Sequence, residues 1–369
     1  MSATRPAEVL VIHDLKVSFH TYAGEVKALD GVELSVRKGE ILGLVGESGC
    51  GKSVTSLAIC GLLPPNAKIE SGEIALNGRN IIGLSKEELR LSRLRDMAIV
   101  FQDPTTYLNP VLTVGSQITE IIEASPDIFA KTLVEDRLKT LESMRSLTSD
   151  LEAERRRLQS LGPEPRLPKR KLKRLARHYA TSILEMVKLP DAERVFKMYP
   201  FELSGGMKQR AMIAMALIRG PKVFLADEIT TALDVTVQAQ ILSLLKDLKE
   251  EISGSVVLIT HDLGIVAEVC DRVAVMYAGS IVEVAGVEEL FAHPLHPYTQ
   301  GLLASVPRPD VVSQELTSIK GSVPDLINPP TGCRFHPRCP YAFDRCPREK
   351  PRLIEASPGH LVSCFLYPK

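Results

Sequence analysis

Ile41-Leu42-Gly43-Leu44-Val45 is an unbroken apolar run that opens directly into Gly46-Glu47-Ser48-Gly49-Cys50-Gly51-Lys52-Ser53, and an apolar helical pattern begins near Lys52. A run so short and so apolar reads as a strand buried on both faces, as in a parallel sheet. Strand, glycine-rich turn and helix N-terminus together build an anion site. The glycines let successive N–H groups curl inward, and the helix adds its positive end. All the fixed positions of the phosphate-loop pattern are filled. Lys52 supplies a charge for the β- and γ-phosphates of a nucleotide, and Ser53 a hydroxyl for Mg²⁺.

The second anchor is Val223-Phe224-Leu225-Ala226-Asp227-Glu228, an apolar strand that ends in two acids. Carboxylates beside apolar residues are costly to bury unless a cation or hydrogen bonds compensate. Asp227 suits Mg²⁺, directly or through water, and Glu228 is a candidate general base for an attacking water. Solvated acids at a strand end are the ordinary reading of such a pair. Behind a complete phosphate loop the functional reading prevails.

The elements between and around these anchors alternate. Helix 207–219, strand 222–226, helix 235–251, strand 255–259, helix 263–269 and strand 272–277 predict a parallel α/β core. Upstream, Val9 to Ile12, Leu15 to Phe19, Val32 to Val36 and parts of 70–101 read as further short strands. Residues 111–200 read as mostly helical, with a break at Gly162-Pro163-Glu164-Pro165 and Pro168. After about residue 285 prolines multiply and periodicity is lost, which predicts an extension held by local contacts and cysteines.

Leu203-Ser204-Gly205-Gly206-Met207-Lys208-Gln209-Arg210 lies between the two anchors and leads into a long apolar helix. A serine N-cap accounts for Ser204 alone. With Gly205 and Gly206 the helix end also offers free N–H groups and a positive dipole, the same physics as the phosphate loop. One nucleotide rarely needs two such sites, unless two chains face head to tail with two nucleotides between them.

In order, the phosphate loop, Gln102 in Val-Phe-Gln-Asp-Pro, the Leu-Ser-Gly-Gly run, the Asp-Glu strand, Ala232-Leu233-Asp234 and His261 in Ile-Thr-His-Asp resemble the ATP-binding cassette (ABC) family, over roughly residues 10–285. More narrowly, the chain is similar to the ATPase subunits of oligopeptide/dipeptide importers. Gln102-Asp103-Pro104 continuing to Leu108-Asn109-Pro110, the run Thr230 to Gln238, His296-Pro297-Tyr298-Thr299 and the cysteine-bearing tail carry that likeness. The resemblance implies an α/β fold: a P-loop NTPase parallel-sheet core with an antiparallel β subdomain, an inserted α-helical subdomain and a Pro/Cys-rich C-terminal extension. The ATPase domain would span 1–285, with the helical subdomain at about 103–215 and an insertion within 124–180, and the extension would span 286–369.

The same resemblance implies site roles. ATP would be held by Gly46, Glu47, Ser48, Gly49, Cys50, Gly51, Lys52 and Ser53, and across a dimer by Ser204, Gly205 and Gly206, with Asp234 communicating between subunits. Glu228, His261, Gln102 and Lys52 would be catalytic, Gln102 and His261 sensing the γ-phosphate. Mg²⁺ would be held by Ser53, Gln102 and Asp227. Position suggests Phe19 as the adenine-stacking aromatic, with Tyr22 as its rival. Two positions depart from the family pattern: Ile229 stands where proline usually follows the acidic pair, and Met207 replaces the commoner glutamine. ATPase activity is expected to survive both.

Cys333, Cys339, Cys346 and Cys364 place four thiols close together near the chain end, with Pro337, Pro340 and Pro347 stiffening the loops between them. In a reducing compartment such crowding points to metal or cluster ligation rather than disulfides. Four thiolates suit a [4Fe–4S] cluster or tetrahedral Zn²⁺. The spacing lacks the short pairs of zinc ribbons and resembles the cluster-binding tail of some dipeptide-importer ATPases. A structural role is expected, because nothing in the sequence suggests an electron partner.

Composition narrows the alternatives. No segment approaches the roughly 18 consecutive apolar residues of a membrane span, and Met1 to Pro6 is polar, so a soluble chain at the cytoplasmic face of the membrane is expected. Basic and acidic residues balance at 45 each, which argues against a nucleic-acid partner. One local bias survives: Arg155 to Arg177 holds ten Lys or Arg against Glu164 alone. A solvated helical face explains it, and contact with anionic lipid is the sharper alternative. The expected partners are a second ABC ATPase subunit, two transmembrane permease subunits and an extracellular solute-binding protein. An ATPase of an oligosaccharide importer is the alternative within the family. A soluble cassette ATPase of repair or translation, or an iron–sulfur redox protein, is the alternative outside it.

Overall fold

The computed structural model describes residues 7–101, 103–144, 148–161, 165–231, 234–252, 254–306 and 319–367. The chain divides into two compact units: Met1–Ile99, Lys222–Glu228 and Leu245–Lys369 form the first, and Val100–Pro221 and Ile229–Leu244 the second.

The first unit holds two sheets. Strands β1 (Glu8–Thr21), β2 (Gly24–Arg37), β4 (Ala67–Leu76) and β5 (Arg79–Asn80) make an antiparallel sheet in the order β2-β1-β4-β5. The alternating burial of β1 and β2 turns one face to the core and leaves the other wet. The second sheet collects β3 (Ile41–Val45), β6 (Met97–Val100), β7 (Val223–Asp227), β8 (Ser255–Thr260), β9 (Arg272–Tyr277), β10 (Ser280–Gly286), β11 (Ile354–Ser357) and β12 (His360–Val362), ordered β11-β12-β10-β9-β3-β8-β7-β6. β3, β7, β8 and β9 are buried at every position, as their unbroken apolar runs require. They pair in parallel, β3 between β8 and β9, and β7 against β8.

The helices of this unit start for identifiable reasons. Helix α1 (Lys52–Cys60) begins at the left-handed Gly51. Helix α2 (Lys86–Arg95) carries a Ser85–Glu88 capping box. In the second unit, α3 (Pro104–Tyr107), α4 (Val114–Glu123), α5 (Pro126–Ser143), α6 (Ser149–Gln159), α7 (Lys169–Met186), α8 (Ala192–Lys197) and α9 (Gly205–Leu217) follow one another. The expected break falls between α6 and α7; its centre, 162–164, lies outside the described residues. Part of the basic stretch is paired locally, at Arg156, Arg174 and Arg177. Arg137 and Arg174 both pair with Glu154, and Arg177 pairs with Glu193 and lies over the Phe196 ring. Helix α10 (Val235–Ile252) begins in the second unit and ends in the first, which then adds α11 (Leu263–Val269), α12 (Val287–Ala292) and α13 (Pro297–Ala304).

The C-terminal segment departs from the expectation of a tail held by local contacts and cysteines. Its strand β12 joins the main sheet against β10, and β11 pairs with β12 in turn. The join is sealed by a polar cluster. Glu283 of β10 is fully buried; it accepts from the Leu295 and His296 N–H groups at 2.7 and 2.9 Å and meets His360 Nε2 at 2.7 Å. A carboxylate so enclosed needs every one of these partners. His360→Ala should therefore cost about 2–4 kcal/mol in urea unfolding; an unchanged midpoint would mean that the two backbone donors satisfy Glu283 alone.

Candidate active site

The phosphate loop leaves β3 and packs against β9. A Cβ at Gly46 would sit 2.2 Å from the Met276 carbonyl oxygen, so no side chain fits where strand and loop touch. Lys52 is folded onto the loop, its Nζ donating to the Gly46 and Glu47 carbonyls at 2.8 and 3.1 Å with 6% of the residue exposed. An ammonium satisfied by carbonyls can transfer those bonds to an incoming phosphate without first being stripped of water.

Beside it, Ser53 Oγ donates to Asp227 Oδ1 and Ser56 Oγ to Asp227 Oδ2, both at 3.3 Å. Burial pushes the Asp227 carboxyl above its ordinary range, the two hydroxyls pull it back, and neighbouring Glu228 pushes it up again. Hydroxyl and carboxylate oxygens are the hard donors that Mg²⁺ selects, so this pair fits the ion the family uses. Glu228 follows at φ 50°, a left-handed conformation that costs a non-glycine residue roughly 1 kcal/mol. Its N–H donates to the Ile259 carbonyl at 2.9 Å, which helps hold it there. Its carboxylate lies 3.3 Å from Nδ1 of His261, an exposed ring at the end of β8.

A cavity of about 390 Å³ opens over Lys52, Ser53 and Glu228. Ser48, Gly49, Gly51, Lys52, Ser53 and Glu228 line its polar end; Phe19, Val26, Ala28 and Leu326 its apolar end. The structure brings Phe19 to the cavity and leaves Tyr22 fully exposed and away from it. Gln102 lies outside the described residues.

In the second unit Ser204 caps α9, accepting from the Met207 N–H at 3.3 Å. Gly205 is open on its Cβ side, whereas a Cβ at Gly206 would meet Val237 at 2.6 Å. Ser204, Gly206, Met207, Arg210, Val237 and Gln240 line a concavity of about 690 Å³. Asp234 is exposed and accepts from the Val237 N–H at 2.9 Å, so it also starts α10. Ile229, in the usual proline position, is fully buried.

The tail cysteines are free and lie close enough to perturb one another. Burial lifts Cys333 to about 11 and raises Cys339 and Cys364, and in each case other tail thiols push the same way. No three of the four Sγ atoms lie within 4.8 Å of one another. Among the described residues the His/Cys/Asp/Glu group that does meet this spacing is His20, Glu25 and Glu70, all exposed on the antiparallel sheet.

Sequence reasoning did not single out Ser56, Leu326 or Arg338. Ser56 had a signal, since it follows Ser53 by one helical turn. Leu326 and Arg338 had none, because they reach the site from the proline-rich segment.

Fold and site together define a cassette ATPase, and comparison with known proteins agrees: a family model described as ABC transporter matches residues 29–231, and the chain belongs to that family. A second, described as the oligopeptide/dipeptide transporter C-terminal region, matches residues 282–346. The dipeptide transport ATP-binding protein DppD of Bacillus subtilis is 45% identical over 360 residues, 97% of this chain and 95% of that protein. The oligopeptide transport ATP-binding protein OppD of Salmonella typhimurium is 42% identical over 364 residues, covering 98% and 95%. Among solved structures, a dimeric ATP-binding cassette in a post-hydrolysis state with ADP and Pi superposes with a TM-score of 0.55 at 25% identity, covering 75% of this chain and 98% of that one.

The burial of Asp227 sets function against stability. Asp227→Asn should raise the melting temperature of the nucleotide-free protein at neutral pH while lowering turnover about a hundredfold or more. The native carboxyl is raised in the fold, so it opposes folding above the ordinary carboxylate range. The gain should vanish as pH falls below that range, where Asp227 is neutral in both states. A melting temperature lowered at every pH would refute this account.

Proposed function

We propose that this chain is the ATP-hydrolysing subunit that powers import of oligopeptides or dipeptides through a membrane ABC transporter. The observation that carries the reading is one constellation: Lys52, Ser53 and Glu228 line one cavity, Asp227 bonds to Ser53 and His261 to Glu228, on a chain whose tail matches the peptide-transporter C-terminal region.

In the proposed reaction ATP lies with its base against Phe19 and its phosphates in the curl of Gly46 to Ser53. Lys52 exchanges its loop carbonyls for phosphate oxygens. Glu228 accepts a proton from a water that attacks the γ-phosphorus in line, the bond to the β-phosphate oxygen breaks, and ADP leaves. His261, within 3.3 Å of Glu228, orients that carboxylate and contacts the γ-phosphate. Gln102 would complete the set as a ligand of Mg²⁺ and the water. When bound, Mg²⁺ supplies charge neutralisation at the phosphates, and Ser53 and Asp227 would hold it.

Ser204, Gly205 and Gly206 serve the ATP of a second cassette chain, so two nucleotides lie between two subunits and hydrolysis releases the pair. Asp234 communicates across that junction. These relatives bear the names of peptide transport ATP-binding proteins, and the dimeric cassette supports pairing. Two permease subunits, fed by an extracellular binding protein, complete the importer and hold this chain at the cytoplasmic face. No helix among the described residues is long and apolar enough to cross the membrane. Val111 and Phe201, 75% and 71% exposed with Tyr107 and Leu112 also outward, give the second unit an apolar surface for such partners.

Cys333, Cys339, Cys346 and Cys364 hold a [4Fe–4S] cluster of structural role. Four thiols within one short stretch of chain, without the close pairs of a zinc ribbon, support that reading. An anaerobic preparation should show broad absorption near 400 nm; zinc by elemental analysis without that band would replace the cluster.

Two measurements test the transport reading. Ser204→Arg should reduce turnover to background while ATP binding by the same chain stays within about twofold; joint loss of both would contradict a signature used in trans. ATPase activity of the membrane complex should rise with peptide-loaded binding protein, and a response to oligosaccharide instead would reassign the solute.

A further inference from the structure

The C-terminal extension reaches the nucleotide cavity at one place and the phosphate loop beside it at another. At the apolar end Leu326 stands in the lining with Phe19, Val26 and Ala28. Its carbonyl accepts from the Lys27 N–H at 2.8 Å, which fixes the segment beside β2, and Ile327 closes over Gly24. On the loop Arg338 makes a two-pronged contact with Glu47, Nη1 to Oε2 at 2.7 Å and Nη2 to Oε1 at 3.1 Å. The guanidinium side chain is 6% exposed. It also donates to the Tyr277 hydroxyl at 3.4 Å and lies over the Tyr277 ring.

The same loop residue is held through its backbone. The Glu47 N–H donates to the Tyr298 hydroxyl at 2.9 Å rather than into the cavity. Tyr298 is fully buried among Tyr277, Phe335 and His296, so its hydroxyl has one place to be. Arg334 extends the clamp, bonding the Ala278 and Lys27 carbonyls and pairing with Asp30. Arg334 follows Cys333 and Arg338 precedes Cys339 in sequence, so the turn that gathers two thiols also aims the two guanidiniums.

A phosphate loop binds by pointing N–H groups at oxygen, and its affinity depends on the loop keeping that shape without ligand. Here a bidentate ion pair to a nearly buried guanidinium and a tyrosine hydrogen bond fix the peptide that begins the curl. We infer that the C-terminal extension is part of the nucleotide site: Leu326 is a binding residue on the base side, and Arg338, with Tyr298, is a positioning residue that presets the phosphate loop through Glu47. The inference rests on the ATPase reading above and adds residues to the same site.

The experiment is nucleotide affinity of the full chain by titration calorimetry, with steady-state turnover alongside. Leu326→Ala should weaken ATP binding about fivefold to tenfold by removing apolar contact with the base. Arg338→Gln should weaken ATP and ADP in equal proportion, roughly tenfold, because the preset loop holds the phosphates both share. Saturated turnover should stay within about twofold in both, a split between KM and kcat that general loosening would not give. Glu47→Gln removes the same ion pair without touching the extension, and the double variant Arg338→Gln/Glu47→Gln should be no worse than the weaker single one. Glu349→Gln, in an exposed pair of the same extension, should leave affinity unchanged. Affinities within twofold of the native chain for Leu326→Ala, Arg338→Gln and Glu47→Gln, or an equal loss in Glu349→Gln, would overturn the inference. Failure of the native chain to bind ATP would instead sink the ATPase reading.

Discussion

The register of the parallel strands decides where chemistry can occur in this chain. Val45 lies opposite Thr260 on β8 and Val275 on β9, and Asp227 lies opposite Ile259 on β8. The phosphate loop after β3, the acidic pair at the end of β7 and His261 after β8 therefore leave the sheet at one edge. Open α/β sheets bind ligands at the carboxyl ends of their strands because loops and helix N-termini converge there. A slip of one residue in β8 would carry His261 and Glu228 apart and turn apolar side chains into the cavity.

That edge concentrates costs as well as groups. Asp227 is a carboxylate in an otherwise apolar layer, eased by two serine hydroxyls, and Glu228 occupies a left-handed conformation. Both are tolerated because the strands beneath are fully buried and do not yield. Ile229 is instructive in this respect. Without a proline to stiffen the chain, Glu228 is held by its N–H bond to Ile259, and the isoleucine is itself fully buried.

Much of this was legible in the sequence, for a physical reason. β3, β7, β8 and β9 are local apolar runs, and a strand buried on both faces announces itself by composition alone. The same holds for the helix behind Ser204, whose start is fixed by a local cap. Phe19 and Tyr22 could not be separated, because which of two nearby aromatics turns inward depends on the bulged register of β1 against β2 and β4. Strand β12 was missed because three residues carry too little pattern, and what secures it, Glu283 with His360, joins positions far apart in the chain. Gln102 is as prominent in the sequence as His261, but it lies outside the described residues.

The extension shows how a proline-rich segment with little secondary structure can still be well placed. Such a chain cannot satisfy its backbone in ladders, so it must borrow partners from its host. It does so at spaced points: Leu326 on Lys27, Arg334 on Ala278, Lys350 on Asp30, Arg338 on Glu47 and β12 on β10. Asp30 records the traffic, since burial alone would raise its carboxyl but Lys350 and Arg334 hold it below the ordinary range. Prolines lower the entropy of the free segment, so each contact meets less opposition. Contacts of this kind leave no periodic trace in a sequence, yet here they converge on the loop that binds phosphate.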